Sequence, residues 1–275
     1  MTYVVDFLQT NYFVHLQLKT LQGGNIMKWK DRLYFGTWQL SGQFKDLTNT
    51  QIENLIQVAL THGIYKFDTA AVYGQGNIEK ILGACLPQEA RILTKIPAIL
   101  KPDTQTSVDK CYSRDIIHRG AEQSLSRLRR DSIDILLLHN WMPSWQKNAT
   151  YILDALKELK RIGIARQVGI SLPNGFSNYI DDSVLEHIDV IEAPYNIHEQ
   201  WIVSQLPQFK RLGKEVLLRS LFLQGKILMG DEQQAGISAM EILTRTLKLE
   251  TSVVVGMTTT YQIIQNINHL KGAVP

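Results

Sequence analysis

The chain has 275 residues and 31.3 kDa, with 44% hydrophobic and 20% charged residues, which excludes a disordered or fibrous protein. Its 29 basic and 26 acidic side chains leave +3 at pH 7, and the densest basic run, Arg127-Leu128-Arg129-Arg130, is too short for a nucleic-acid-binding tail. Two cysteines, Cys85 and Cys111, make no disulfide framework, and no apolar run is long enough to span a membrane, so a cytoplasmic protein with neither membrane nor nucleic-acid partners is expected.

In residues 1–26, Tyr12, Val14, Leu16 and Leu18 alternate with Phe13, His15, Gln17 and Lys19, a period of two that Gly23-Gly24 ends. One reading is a strand covering one end of the domain. The simpler one is an N-terminal extension of doubtful structure, a leader translated from an early start codon, with the domain running over residues 27–275. No basic segment followed by an apolar block marks a signal peptide there.

Beyond it, strand patterns begin near Leu33, Lys66, Arg91, Ile133, Arg166, Asp189, Glu215 and Ser252. Their mean spacing is about 31 residues, near one βαβ unit. They are short and apolar on both faces, as buried parallel strands are, Ile133-Asp134-Ile135-Leu136-Leu137-Leu138 most clearly. Between them lie helical stripes. Thr48 and Gln51 form a capping-box pair ahead of Ile52, Leu55, Ile56, Ala59 and Leu60; Ile78, Ile81, Leu82 and Cys85 repeat the pattern. So do Ile117, Ala121, Leu125 and Leu128, and then Ile152, Leu153, Leu156 and Leu159, with Gly163 as C-cap. Eight such units predict an α/β fold, a single-domain (β/α)8 TIM barrel. An open doubly wound sheet is the alternative, but the first strand lacks the glycine-rich turn it would need.

In such barrels the chemistry sits at the C-terminal ends of the strands. Strand two ends at Asp68 with Tyr73 five residues on, strand three at Lys95, strand four at His139, strand five at Ser171 and strand six at Glu192. An acid, a base, an imidazole and a phenol at one rim suit proton transfer to a carbonyl oxygen. Beside a lysine cation the phenol is expected to titrate lower than usual. Taken singly, each residue is more often a structural group; together they form a candidate site. No covalent nucleophile is evident, and His62, His118, His187, His198 and His269 have no metal-ligand spacing, so a cofactor would supply the other half of the reaction and no metal is expected. Gly74-Gln75-Gly76 is not a dinucleotide turn, because Glu79 stands at the third glycine position and the stretch follows strand two.

These stretches resemble the aldo/keto reductase family: Phe35-Gly36-Thr37-Trp38-Gln39-Leu40, Phe67-Asp68-Thr69-Ala70-Ala71-Val72-Tyr73-Gly74, Glu79 with Leu82-Gly83, Leu136-Leu137-Leu138-His139, Gln167-Val168-Gly169-Ile170-Ser171 and Pro194-Tyr195-Asn196. The resemblance implies an NAD(P)H-dependent reductase of an aldehyde or ketone. Tyr73 would be the general acid, Lys95 its partner, Asp68 the residue pairing with Lys95 and His139 the orienting group. It also implies that Ser171, Glu192 and Tyr195 hold the nicotinamide, that Ser220, Leu221 and Gln224 cover the pyrophosphate, and that Gly256, Thr258, Gln265 and Asn266 meet the adenosine end. Trp38 and Trp141, just past strands one and four, are expected on the substrate wall. The segment Arg219-Ser220-Leu221-Phe222-Leu223-Gln224-Gly225 is similar to a branch found among bacterial sugar and surface-polysaccharide genes, a hint of a sugar-type substrate.

Several positions depart from the family pattern. Leu172 replaces the usual Asn and Glu192 the usual Gln, and Thr258, Thr259 and Thr260 stand where a basic residue often meets the 2′-phosphate. NADP(H) is therefore the family expectation with NAD(H) open. The expected partner is a small carbonyl substrate, the chain acting as a monomer or weak oligomer. The alternatives are a cofactor-binding regulatory subunit of low activity, and a barrel isomerase or lyase using the same rim.

Overall fold

The computed structural model describes residues 29–175, 179–229 and 238–273. Eight parallel strands pair in sequence order and close on themselves: β1 (Leu33–Gly36), β2 (Lys66–Asp68), β3 (Arg91–Ile96), β4 (Ile133–Leu138), β5 (Ala165–Ser171), β6 (Val190–Pro194), β7 (Glu215–Arg219) and β8 (Ser252–Gly256). The closure is β1 on β8, in register from Leu33↔Val253 to Gly36↔Gly256, which excludes the open sheet. β5 and β6 each begin one residue from the expected position, and the other strands begin where the apolar runs place them. The alternating stretch in residues 1–26 and the boundary at Met27 lie outside the described residues.

The helices, in chain order, are α1 (Asn49–Thr61), α2 (Asn77–Cys85), α3 (Val108–Cys111), α4 (Arg114–Leu128), α5 (Thr150–Arg161), α6 (Asp182–Leu185), α7 (Leu206–Arg211), α8 (Lys226–Met229), α9 (Ala239–Leu247) and α10 (Thr260–Ala273). Local chemistry sets their ends. At α1 the Gln51 N–H donates to Thr48 Oγ1 (3.3 Å) and Gln51 Oε1 accepts from the Thr48 N–H (2.9 Å), the reciprocal box read from the sequence. α5 stops at Gly163, whose φ of +82° a side chain would strain. Cys85, expected in the core, is only half-buried because it is the last residue of α2.

Between sheet and helices lie two large apolar clusters, and a third fills the barrel itself with Tyr34, Leu93, Ile135, Leu137, Val190, Leu217 and Val254. The interior is thus packed rather than open. The N-terminal ends of the strands are closed by a polar net. Tyr34 Oη donates to Glu215 Oε1 (3.2 Å), and Arg91 Nη2 donates to Glu215 Oε2 (2.8 Å) and to Gln167. Among the described residues no helix is long and apolar enough to cross a membrane, and no group of three His, Cys, Asp or Glu side chains is placed to hold a metal ion.

Candidate active site

The barrel geometry delivers the expected side chains to one mouth. Register places Asp68 at the end of β2 opposite Leu93, two residues short of Lys95 on β3. The Lys95 ammonium, 1% exposed, donates to Asp68 Oδ2 and, at 3.0 Å, to the Thr69 carbonyl. It lies 5.5 Å from the centre of the Tyr73 ring. The Tyr73 and His139 rings meet edge to face with centres 6.2 Å apart. Asp68, Tyr73, Lys95 and His139, drawn from four successive segments, therefore form one cluster.

The sequence places Glu192 at this rim but does not reveal its contact with Lys95. Glu192, at the middle of β6 and fully buried, brings Oε1 within 3.4 Å of the same Lys95 ammonium. Two buried carboxylates thus share one cation. Its effect is visible in the neighbours. Burial and the Glu192 charge push Asp68 up to about 8 against the pull of Lys95. Burial would lower Lys95, but Asp68 and Glu192 overcome it and hold the ammonium charged. The carboxylate pair as a whole keeps its second proton far above the ordinary range, because one ammonium cannot neutralise two buried anions.

The expected lowering of the Tyr73 phenol is reversed. Burial, together with the Asp68 and Glu192 charges, outweighs Lys95 and pushes Tyr73 up to about 12. The ammonium's field is already spent on the carboxylates. Burial, with Lys95 and Arg219, drives His139 down to about 3, so its imidazole is neutral. The His139 backbone is fixed by a residue not singled out from the sequence: buried Tyr112 donates its Oη to the His139 carbonyl (2.6 Å). Buried Glu79 similarly links Thr94 Oγ1 (2.6 Å) and Arg127 Nε (2.6 Å), tying α2 to β3 and α4 behind the site.

Around the cluster lie the other expected residues. Ser171 ends β5, in register with Glu192, and Tyr195 follows β6, half-buried, its N–H bonded to the Arg219 carbonyl (2.9 Å). Past β7 the backbone takes left-handed conformations at Ser220 (φ +61°), Leu223 (+46°) and Gln224 (+63°). The Leu221 side chain is buried in the core, so only its backbone faces outward chemistry. Past β8, the Gln262 Oε1 accepts from the Thr258 N–H (2.7 Å) and its hydroxyl (3.2 Å), while Gln265 and Asn266 lie half-buried on α10. Gly256 forms a cradle that the Gln39 carboxamide occupies, since a Cβ there would come within 2.0 Å of it.

Trp38 is half-buried, edge-on to exposed Phe44 with centres 5.3 Å apart, in the loop after β1. Trp141 departs from expectation: it is fully buried, edge to face with Trp145 at 5.6 Å. The left-handed turn at Asn140 (φ +58°) and the Trp141 N–H bond to the Ser171 carbonyl (2.8 Å) carry it into the core, not onto a substrate wall.

A model of the Aldo/keto reductase family matches residues 32–204. The chain is 31% identical over 180 residues to the aldo-keto reductase YhdN of Bacillus subtilis, covering 62% of this chain and 51% of that protein. It thus spans about half the length of the curated relative it matches there. Among solved structures it resembles the holo form of the aldo-keto reductase AKR11C1 of Bacillus halodurans, with TM-score 0.69 and 20% identity over 89% of this chain and 92% of that one. A Klebsiella pneumoniae aldo/keto reductase solved with NADP and acetate gives TM-score 0.66 and 20% identity over 87% and 85%. These two likenesses concern the fold.

Proposed function

The chain belongs to the aldo/keto reductase family, and on that premise we propose that it is an NAD(P)H-dependent oxidoreductase that reduces an aldehyde or ketone, with Tyr73 as proton donor. The observation that carries the reading is the convergence of Asp68, Tyr73 and His139 on a buried, charged Lys95. A site serving only to bind a dinucleotide needs no such proton-transfer set.

The residues present fit a nicotinamide cofactor. Ser171 and Glu192 lie fully buried side by side in register at the mouth, polar groups that a carboxamide can bond. Ser171, Glu192 and Tyr195 would hold its nicotinamide end, Ser220, Gln224 and the Leu221 backbone its pyrophosphate, and Gly256, Thr258, Gln265 and Asn266 its adenosine. When bound, the cofactor supplies the hydride. NADP(H) is the expected form, in keeping with the ligand of the Klebsiella relative, but neutral threonine hydroxyls past β8 bind a phosphate dianion less firmly than Arg would.

The protein's own part is proton delivery and orientation. Tyr73, protonated at neutral pH, gives its phenolic proton to the substrate oxygen; the Tyr73 O–H bond breaks as the alcohol O–H forms. The nascent phenolate is stabilised by the Lys95 ammonium, which Asp68 and the Thr69 carbonyl hold in place. Water then restores the phenol. The neutral His139 donates a hydrogen bond that orients the substrate oxygen. Trp38 and Phe44 offer an apolar wall beside it.

Nicotinamide absorbance, followed with NADPH and NADH against a panel of aldehydes, ketones and sugars, tests the proposal. Turnover of at least one carbonyl class is expected. Cofactor binding without reduction of any member would favour the regulatory reading, and binding of neither cofactor would defeat both.

A further inference from the structure

Behind the mouth lies a buried carboxylate that the proposed chemistry does not use. Glu79, in the first turn of α2, is completely enclosed. Its Oε1 accepts from Thr94 Oγ1 (2.6 Å) and its Oε2 from Arg127 Nε (2.6 Å), so both oxygens are engaged. Apolar packing would tie α2 to the barrel without the cost of burying a charge. The two bonds, however, reach the two halves of the proton-transfer pair.

The first bond reaches the strand that carries the lysine. Side chains alternate along β3, so Thr94 and Lys95 leave it on opposite faces. Register agrees: Lys95 pairs with Leu137, which fills the barrel, and Thr94 with Leu136, which belongs to an apolar cluster outside it. Glu79 therefore grips β3 from the helix side, one residue from the ammonium that faces Tyr73. The second bond reaches the turn that carries the phenol. Tyr73 is followed by Gly74, Gln75 and Gly76 with φ of +55°, +54° and +85°, and α2 begins directly after them at Asn77. A left-handed run that includes a non-glycine residue persists only where its surroundings hold it. Arg127 lies against that run. A Cβ on Gly76 would come within 2.9 Å of Arg127 Cδ and 3.1 Å of Nε, the same Nε that donates to Glu79.

We infer that Glu79 is a positioning residue for proton transfer, setting Tyr73 against Lys95 by anchoring β3 through Thr94 and the turn after Tyr73 through Arg127. The inference rests on Tyr73 as proton donor and concerns what places it. Glu79 itself touches no reacting atom. The Lys95 ammonium, 5.5 Å from the Tyr73 ring centre, serves the nascent phenolate only while that geometry is kept. A misplacement of about 1 Å lowers such a rate by up to about 10²-fold.

The test assays the full chain with NADPH or NADH and the carbonyl that it reduces fastest. Glu79→Gln keeps the side-chain volume and an acceptor for Thr94, but its amide turns a donor toward the Arg127 donor. It is expected to lower kcat by about 10–100-fold while KM and the cofactor Kd stay nearly unchanged. Arg127→Met should give the same pattern, which keeps the inference testable if Glu79→Gln does not fold, since Arg127 is 20% exposed. Arg127→Lys, which keeps a cation for the carboxylate, should retain most of the rate. A role confined to proton delivery has one more signature. Adding Glu79→Gln to Tyr73→Phe should leave the residual single-turnover rate of Tyr73→Phe unchanged. Wild-type kcat in Glu79→Gln, a parallel loss in KM and Kd, or a full further loss on top of Tyr73→Phe would each overturn the inference and leave the proton-donor reading standing. Undiminished turnover in Tyr73→Phe, or no carbonyl reduced by the wild type, would remove that reading, and the inference with it.

Discussion

The two ends of the barrel use the same side-chain types and differ in how deeply their charges are buried. At the floor, Tyr34 donates to Glu215, Arg91 bridges Glu215 and Gln167, the Lys66 ammonium lies 5.5 Å over the Tyr34 ring, and Asp134 Oδ2 accepts from the Ile92 N–H (2.9 Å). At the mouth, Tyr73, Lys95, Asp68 and Glu192 repeat that cast, but there the lysine and both carboxylates are buried, whereas the floor pair Arg91–Glu215 is about a quarter exposed. Composition alone does not tell the ends apart; the burial of their charges does.

The harshest way to break this comparison is to remove the cation from each end. Lys95→Met leaves Asp68 and Glu192 facing each other in a dry site. We expect a loss of about 3–5 kcal/mol of stability in urea unfolding, the cost of stripping one partner from a buried ion pair, and no measurable turnover. Arg91→Met at the floor should cost far less, since that pair is a quarter exposed and water can replace the missing charge. If the two variants lose equal stability, the ends are not energetically distinct.

Next in size is the Tyr73 hydroxyl. Tyr73→Phe should lower turnover by about 10³-fold, within the range for removing a positioned general acid, while leaving cofactor affinity nearly unchanged. Single-turnover absorbance measures the first and fluorescence titration the second. Near-wild-type turnover would exclude Tyr73 as the proton donor.

Which of these features the sequence displays follows from how local each one is. Strand starts such as Leu33 and Ser252 are legible because buried parallel strands are continuous apolar runs, and Asp68, Lys95 and His139 are legible because a barrel sends strand ends to one rim. The Glu192–Lys95 contact joins β6 to β3 across the barrel mouth, a relation no spacing encodes. Tyr112 on the His139 carbonyl is likewise 27 residues away in sequence. Trp141 looked like a wall residue because a left-handed turn at one Asn, not a composition signal, redirects it. The Tyr73 shift reversed sign because it depends on how many carboxylates share Lys95, which only the assembled site specifies.

A smaller effect tests that sharing. The folded protein holds a proton on the Asp68–Glu192 pair up to about 8, whereas an unfolded Asp releases it near 3.8. Between those values the folded state binds more protons than the unfolded one, so this pair's contribution to stability is full below the lower value and is lost as pH rises through the upper. His139, buried neutral, acts in the opposite sense on the acid side and is present in both proteins compared. Glu192→Gln removes the repelling charge and lets Asp68 fall back toward its ordinary range. Urea unfolding at several pH values should therefore give a flatter decline for Glu192→Gln, by up to about 1.4 kcal/mol per pH unit. Parallel declines would mean that the two carboxylates titrate independently.

The smallest effect belongs to the floor and is the control for the largest. Tyr34→Phe deletes the same atom as Tyr73→Phe, from a phenol that burial and Glu215 likewise push up. Its partner Glu215 stays satisfied, however, because Oε2 still accepts from Arg91 and the carboxylate, 23% exposed, can recruit water at Oε1. Only one neutral-to-charged hydrogen bond of 3.2 Å is lost, so a cost of about 1 kcal/mol in unfolding is expected. Turnover should be unchanged, since Tyr34 enters the barrel at the opposite end of the strands from Lys95. A fall in turnover from Tyr34→Phe comparable with that from Tyr73→Phe would show that the floor, too, takes part in the chemistry, and the division of labour between the two ends would fail.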